Sequence, residues 1–155
     1  MRKIVYIICF LCSLMSCSKS ASAYLLIIND SSYNIEWTST AESPSQGGIT
    51  IVRVPSFEVC HSGVFNRSCR RVEDVTIESM CVNLDKAEVS AYIMQSGSRV
   101  LLRTWEGINR YQESRTPFCL NHCQKEIGFN VDGTEFINYY FHVSDEDFNQ
   151  ESSTE

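Results

Sequence analysis

The residue types able to do chemistry in this sequence are a few cysteines and histidines. Cys119-Leu-Asn-His122-Cys123 places two thiols and an imidazole within five residues, and Cys60-His61 offers a second such pair. Thiolate and imidazole donors in that number suit a tetrahedral zinc site, and a thiol beside a histidine suits nucleophilic catalysis. The spacing lacks the two separated Cys-x-x-Cys pairs of a structural zinc site, and oxidation in an exported chain would remove the thiolates. No metal and no cofactor is expected. His61, His122 and His142 are the only histidines, and there is no Gly-x-Ser-x-Gly, His-Glu-x-x-His or phosphate-cradling glycine loop. Asp145-Glu146-Asp147 lacks the glycine and the spaced oxygens of a calcium loop. The sequence therefore reads as a protein that binds and is not an enzyme. A small Cys/His metal-dependent enzyme is the least favoured alternative.

For recognition, the strongest candidate is Trp105-Glu-Gly-Ile-Asn-Arg-Tyr111. Trp105 and Tyr111 offer flat rings for stacking, and Asn109 and Arg110 offer hydrogen bonds, a combination that fits a glycan, a peptide or a protein surface. The ordinary alternative has Trp105 and Tyr111 covering the edge of the domain with Arg110 solvated. Arg67, Arg70 and Arg71 form a second, small basic patch, for which solvated surface charge is the ordinary reading. Asn29-Asp-Ser31 and Asn66-Arg-Ser68 match the glycosylation sequon, which makes Asn29 and Asn66 candidate acceptors.

These residues must be carried by whatever follows the leader. Arg2 and Lys3, the apolar run Ile4 to Met15 and Ala21-Ser22-Ala23 have the form of a secretory signal peptide covering residues 1–23. The apolar run is too short to span a bilayer, so the chain is expected to be exported, with a mature form from Tyr24. Leu14-Met15-Ser16-Cys17 resembles the bacterial lipobox, with Met15 departing from its pattern; that resemblance implies lipidation at Cys17 and an anchored envelope protein.

Of eight cysteines, Cys9, Cys12 and Cys17 fall in the leader and Cys60, Cys69, Cys81, Cys119 and Cys123 remain. Export favours disulfides. Cys60 with Cys69, and Cys81 with Cys119 or Cys123, are the pairings the order of the chain suggests. A loop of roughly forty residues closed by the second bridge would contribute about 3–4 kcal/mol. The odd cysteine is either buried or the link in a covalent dimer.

Removing Arg2, Lys3 and Lys19 takes the net charge from −6 to −9. An acidic chain of this kind has no footprint for nucleic acid. The partner class is a protein or glycan, with a membrane involved only if Cys17 is lipidated. Residues 144–155 carry five carboxylates, no basic residue and only Phe148 as an apolar side chain, and are expected to be a disordered acidic tail.

The single domain, residues 24–143, reads as all-β. Tyr24 to Asn29 is a dense apolar run, and Tyr33, Ile35 and Trp37 alternate with polar residues, together suggesting a first hairpin. Further strand signals lie at Ile49 to Val54, Val72 to Ile77, Val82 to Leu84, Glu88 to Gln95 and Arg99 to Thr104, the last two joined through Ser96-Gly97-Ser98 as a second hairpin, with a polar loop from Cys60 to Cys69. A last hairpin turns at Asp132-Gly133, with Ile127, Phe129 and Val131 facing the core in its first arm and aromatic residues on both faces of its second. Eight or nine short strands without a convincing helix imply an antiparallel β-sandwich or a partly open barrel.

Overall fold

The computed structural model describes residues 21–41, 50–69, 73, 75–113 and 115–149, with the backbone alone at 61 and 63–69. It is a β-sandwich with no closed barrel, made of two four-stranded sheets. The strands are β1 (Ala21–Asn29), β2 (Ile35–Ser39), β3 (Thr50–Val54), β4 (Val59–Cys69), β5 (Glu88–Gln95), β6 (Ser98–Glu106), β7 (Gln124–Phe129) and β8 (Glu135–Val143). One sheet runs β4-β1-β8-β7 and the other β3-β2-β5-β6. Pairing is antiparallel except between β1 and β8, which run parallel side by side from Ser22 opposite Phe136 to Asn29 opposite Val143.

The core follows from period-two burial on both sheets. Ala21, Ala23, Leu25 and Ile27 of β1 and Ile137, Tyr139, Phe141 and Val143 of β8 face Ile35 and Trp37 of β2, Val89 and Ala91 of β5 and Trp105 of β6. Trp37 and Trp105 lie 5.5 Å apart between ring centroids, and Phe141 from the opposite sheet meets Trp105 edge-on at 5.7 Å. Both indole N–H groups are buried without an acceptor among the described residues. Each costs about 1–3 kcal/mol, which the aromatic packing must offset.

The expected hairpin between the first two strands does not form, because β1 and β2 belong to different sheets. Both edges of β1 are already taken by β4 and β8, so its successor has to leave. Asn29 makes the departure. Its buried side-chain amide donates to the carbonyls of Tyr33, Val54 and Pro55 at 2.7, 2.9 and 3.0 Å, while its Oδ1 accepts from the backbone N–H and the hydroxyl of Ser31. An amide committed to five hydrogen bonds and fully buried is not accessible for glycosylation, which removes Asn29 as a candidate acceptor.

Several other expectations change. The 60–69 stretch is strand β4, not a loop. Residues 72 and 74 lie outside the described residues; the end of the 72–77 signal opens a helical turn, α1 (Ile77–Met80), with a capping box between Thr76 and Ser79, and the 82–84 signal leads into a 3₁₀ turn at Leu84–Lys86. The two-residue turn with positive φ at both centres lies at Ser96 (52°) and Gly97 (80°) between β5 and β6. At Asp132-Gly133 only Gly133 has positive φ, and the connection is the longer loop 130–134, with Gly133 N–H donating to Asn130 and Asn130 N–H to Thr134. Strand β7 lies at the sheet edge, so Ile127, Phe129 and Val131 are exposed instead of facing the core.

The packed body also exceeds 24–143 at both ends, beginning with Ala21 in β1. After β8, Asp145–Asp147 forms a 3₁₀ turn capped by Ser144. Asp147 is buried and meets Arg103 at 3.5 Å and Arg115 at 3.3 Å, and Phe148 packs on Tyr33 at 6.1 Å between centroids. Two guanidinium groups compensate the desolvated carboxylate, which is why the start of the acidic segment docks. Residues 150–155 lie outside the described residues.

Replacing Asn29 with Ala should lower stability by roughly 3 kcal/mol, since it leaves buried carbonyls without donors. Urea denaturation measures this, and a loss under about 1 kcal/mol would show that the crossover is held by other contacts.

Candidate functional site

The crossover from β1 to β2 brings together three segments far apart in sequence. The start of β2 with its lead-in (Ser32 to Glu36), the end of β3 (Arg53 to Pro55) and the end of β5 (Ile93, Met94) enclose a groove of about 510 Å³. That volume is within the range that accepts a small ligand or a few side chains, about 300–1,000 Å³. Its position follows from the fold: Asn29 holds Tyr33 and the Val54–Pro55 carbonyls in one hydrogen-bonded knot, and Asn34 Oδ1 accepts from Ser56 N–H at 2.9 Å.

The groove is apolar with a charged rim. Tyr33 and Met94 expose their side chains to it. Glu36 carries the negative charge, and Arg99 neutralises it. The Arg99 side chain reaches from β6 across β5, stacks 3.8 Å above the Tyr92 ring, places Nε 2.6 Å from Glu36 Oε1 and donates to Thr38 Oγ1. Arg53 lies 3.9 Å from the same carboxylate with its side chain 88% exposed. A carboxylate already held by one guanidinium leaves Arg53 as a positive group open to solvent at the groove mouth.

Beside the groove, the turn after β3 holds Phe57 at φ 61° with its side chain 75% exposed. A left-handed backbone is unfavourable for a bulky aromatic residue and persists only where neighbours impose it. Here the Phe57 N–H donates to the Asn29 carbonyl at 2.6 Å, and Glu58 N–H to Pro55 O at 3.3 Å. The strained turn presents an apolar ring to solvent.

The 105–111 loop is arranged differently from what its sequence suggests. Trp105 is fully buried in the sandwich core and inaccessible to any ligand. Asn109 donates to Glu106 at 2.8 Å. Arg110 donates to Asp85 at 2.6 Å and to the Gly107 carbonyl at 2.8 Å, and lies 4.7 Å over the Tyr111 ring. The Tyr111 hydroxyl reaches Glu78 of α1 at 3.4 Å, while its ring is 77% exposed. Asn109, Arg110 and Tyr111 therefore spend their polar atoms tying the loop to itself, to α1 and to the 84–86 turn.

In the second patch, Arg67 lies on β4 opposite Ala23, and Arg70 and Arg71 are outside the described residues. Asn66 is on β4 opposite Tyr24.

The cysteines do not form the expected staples: no disulfide joins Cys60, Cys81, Cys119 or Cys123 to another of the four. Cys60 pairs with Ile27 and Cys69 with Ala21 across the β1–β4 ladder. Six residue steps along β1 separate those partners by about 20 Å, so the Cys60–Cys69 bridge is geometrically closed off. Cys123 donates to the Cys119 carbonyl at 3.9 Å, and burial, with Cys119 nearby, pushes its thiol up to about 12. Burial and Glu58 also raise Cys60.

His122 and His142 are engaged by other groups. His122 Nδ1 accepts from Thr116 N–H at 3.2 Å, and the His142 ring bridges Asp30 at 2.7 Å and Gln124 at 3.3 Å. Among the described residues no three His, Cys, Asp or Glu side chains converge as metal ligands; the side chains of His61 and Cys69 lie outside the described residues.

The groove residues Tyr33, Arg53 and Met94 were not legible as a site. Alternation places Arg53 on the outer face of β3, but only strand order and the crossover bring it to Tyr33 and Met94.

With its thiol near 12, native Cys123 should hold on the order of one part in ten thousand thiolate at pH 8 and resist iodoacetamide until the protein is unfolded. Mass spectrometry after alkylation reads this, and rapid native labelling of the half-buried Cys123 would contradict the raised thiol. A Cβ at Gly107 would stand 1.9 Å from the Leu84 carbonyl oxygen, so Gly107→Ala should destabilise by about 2–3 kcal/mol in thermal or urea unfolding. A wild-type midpoint would show that the 84–86 turn yields.

No protein-family model, no curated protein and no solved structure matches this chain, so its functional reading stands on the geometry of the described residues.

Proposed function

We propose that the protein is an exported β-sandwich that binds, and does not catalyse, and that the groove between Tyr33, Arg53 and Met94 is its binding site. The observation that supports this most is Arg53, an open guanidinium at the mouth of an apolar groove in an otherwise acidic chain. The occupant that suits it is a peptide segment of a partner protein, with a carboxylate for Arg53 and an apolar side chain against Tyr33 and Met94. Phe57 and Tyr33 supply the aromatic area from which interface affinity is commonly drawn. The raised thiols of Cys60 and Cys123 and the engagement of His122 and His142 by other groups fit binding better than catalysis. The exposed Tyr111 ring keeps the 105–111 loop as the second reading, since it also lines a shallow pocket with Ile77, Phe118 and Leu120.

Selection of short peptides from a displayed random library against the native protein should enrich sequences with Asp or Glu next to an apolar residue. Arg53→Glu and Met94→Asp should each weaken capture of those peptides at least tenfold, a change of about 1.4 kcal/mol or more, with a melting temperature within a few degrees of wild type. Tyr111→Ala should leave capture intact. If Tyr111→Ala abolishes capture and Arg53→Glu does not, the loop is the site and the groove is not.

A further inference from the structure

The leader contains a good small-residue cleavage signal at Ala21-Ser22-Ala23, yet those three residues are built into the middle of the first sheet. Ala21 lies opposite Cys69, Ser22 opposite Ser68 and Phe136, and Ala23 opposite Arg67 and Ile137. Ala21 and Ala23 are buried, and the small side chain of Ala23 packs into the core cluster that holds Ile137. They form the first third of a central strand with neighbours on both edges, not a frayed extension of an edge strand.

A cut after Ala23 would have two costs. It would leave Arg67 to Cys69 of β4 and Phe136 and Ile137 of β8 without their ladder partners, opening two unpaired strand edges side by side. It would also create a charged α-amino group on Tyr24, between Asn66 on one strand and Asn138 on the other, where strand pairing withdraws it from water. A cut upstream of Ala21 keeps all of these ladder pairs and leaves the Tyr24 nitrogen in a peptide bond.

We infer that the leader is removed upstream of Ala21 and that Ala21, Ser22 and Ala23 belong to the mature domain. The inference rests on the reading that the chain is exported. It reassigns the mature start from Tyr24 and leaves the Ser16–Cys17 bond, within the lipobox-like Leu14-Met15-Ser16-Cys17, as a processing site compatible with the whole of β1. Hydrolysis there adds one water across the peptide bond and leaves Ser18-Lys19-Ser20 as a link of about 10 Å in extended form between Cys17 and the first strand residue.

The test is the intact mass and N-terminal peptide of the protein from its native producer. A start at Ala21 or at any residue between it and the leader supports the inference, and a diacylglyceryl thioether on a Cys17 start supports it while also placing the domain at a membrane surface. A start at Tyr24 overturns it with export intact. An unprocessed chain from Met1 overturns the export reading and this inference together. Ala23→Val in the full chain gives an independent readout by pulse-labelling, before folding matters. If the cut lies upstream, the precursor is processed at the wild-type rate. If Ala23 is the residue before the cut, a β-branched side chain there blocks the peptidase, and accumulation of precursor overturns the inference.

Discussion

The end of β1 is the constraint on which the other arrangements depend. A strand with both edges occupied cannot hairpin onto its successor, so the chain has to change sheets at residue 29. A backbone that turns away inside a sandwich leaves carbonyls facing protein instead of water. Asn29 satisfies three of them with one buried amide and closes its own turn with the oxygen. From that knot follow the position of Tyr33, the end of β3 at Pro55 and the left-handed Phe57, which donates to the Asn29 carbonyl. The groove is a consequence of the crossover.

The two sheets are joined by aromatic packing. Trp37 and Trp105 come from the β3-β2-β5-β6 sheet and Phe141 from the other, and their mutual contacts fill the centre of the sandwich. Core space taken by two indoles accounts for the fate of the 105–111 loop: with Trp105 turned inward, the remaining residues fold against α1 and the 84–86 turn. At the far end of the chain, Asp147 is held by Arg103 and Arg115, and Phe148 reaches Tyr33. The turn at Asp145–Asp147 therefore supports one wall of the groove whose other walls come from β3 and β5.

Charge separates the groove from the rest of the surface. The chain is acidic overall, and most of its described arginines are committed: Arg99 to Glu36, Arg103 to Asp147 and Glu113, Arg110 to Asp85, and Arg115 to Asp147 and the His142 carbonyl. Arg53 is the exception in kind, with a long contact to a carboxylate that a closer arginine already serves. An open positive group beside exposed Tyr33 and Met94 combines the two contributions that specific surfaces use, apolar area for affinity and charge for orientation.

The amino-acid sequence by itself determined the class of the fold and many of its strands. Period-two alternation in Tyr33-Ile35-Trp37 and in the 136–143 arm is a local property, and it survives into β2 and β8 because burial on one face of a sheet needs only the order of neighbouring residues. The same holds for the turn at Ser96-Gly97, where short-range backbone preference suffices. It did not determine which strands pair. The parallel contact of β1 with β8 joins the two ends of the domain, the separation of Cys60 from Cys69 follows from ladder register, and the inward turn of Trp105 depends on where its strand lies. Tertiary structure alone decided these, because strand order and sheet membership are settled by the joint packing of distant segments, and no local spacing encodes which segment lies across the core. The candidate site belongs to that second group: Tyr33, Arg53 and Met94 become one surface only when a crossover held by a single buried amide brings three strands to the same end of the sandwich.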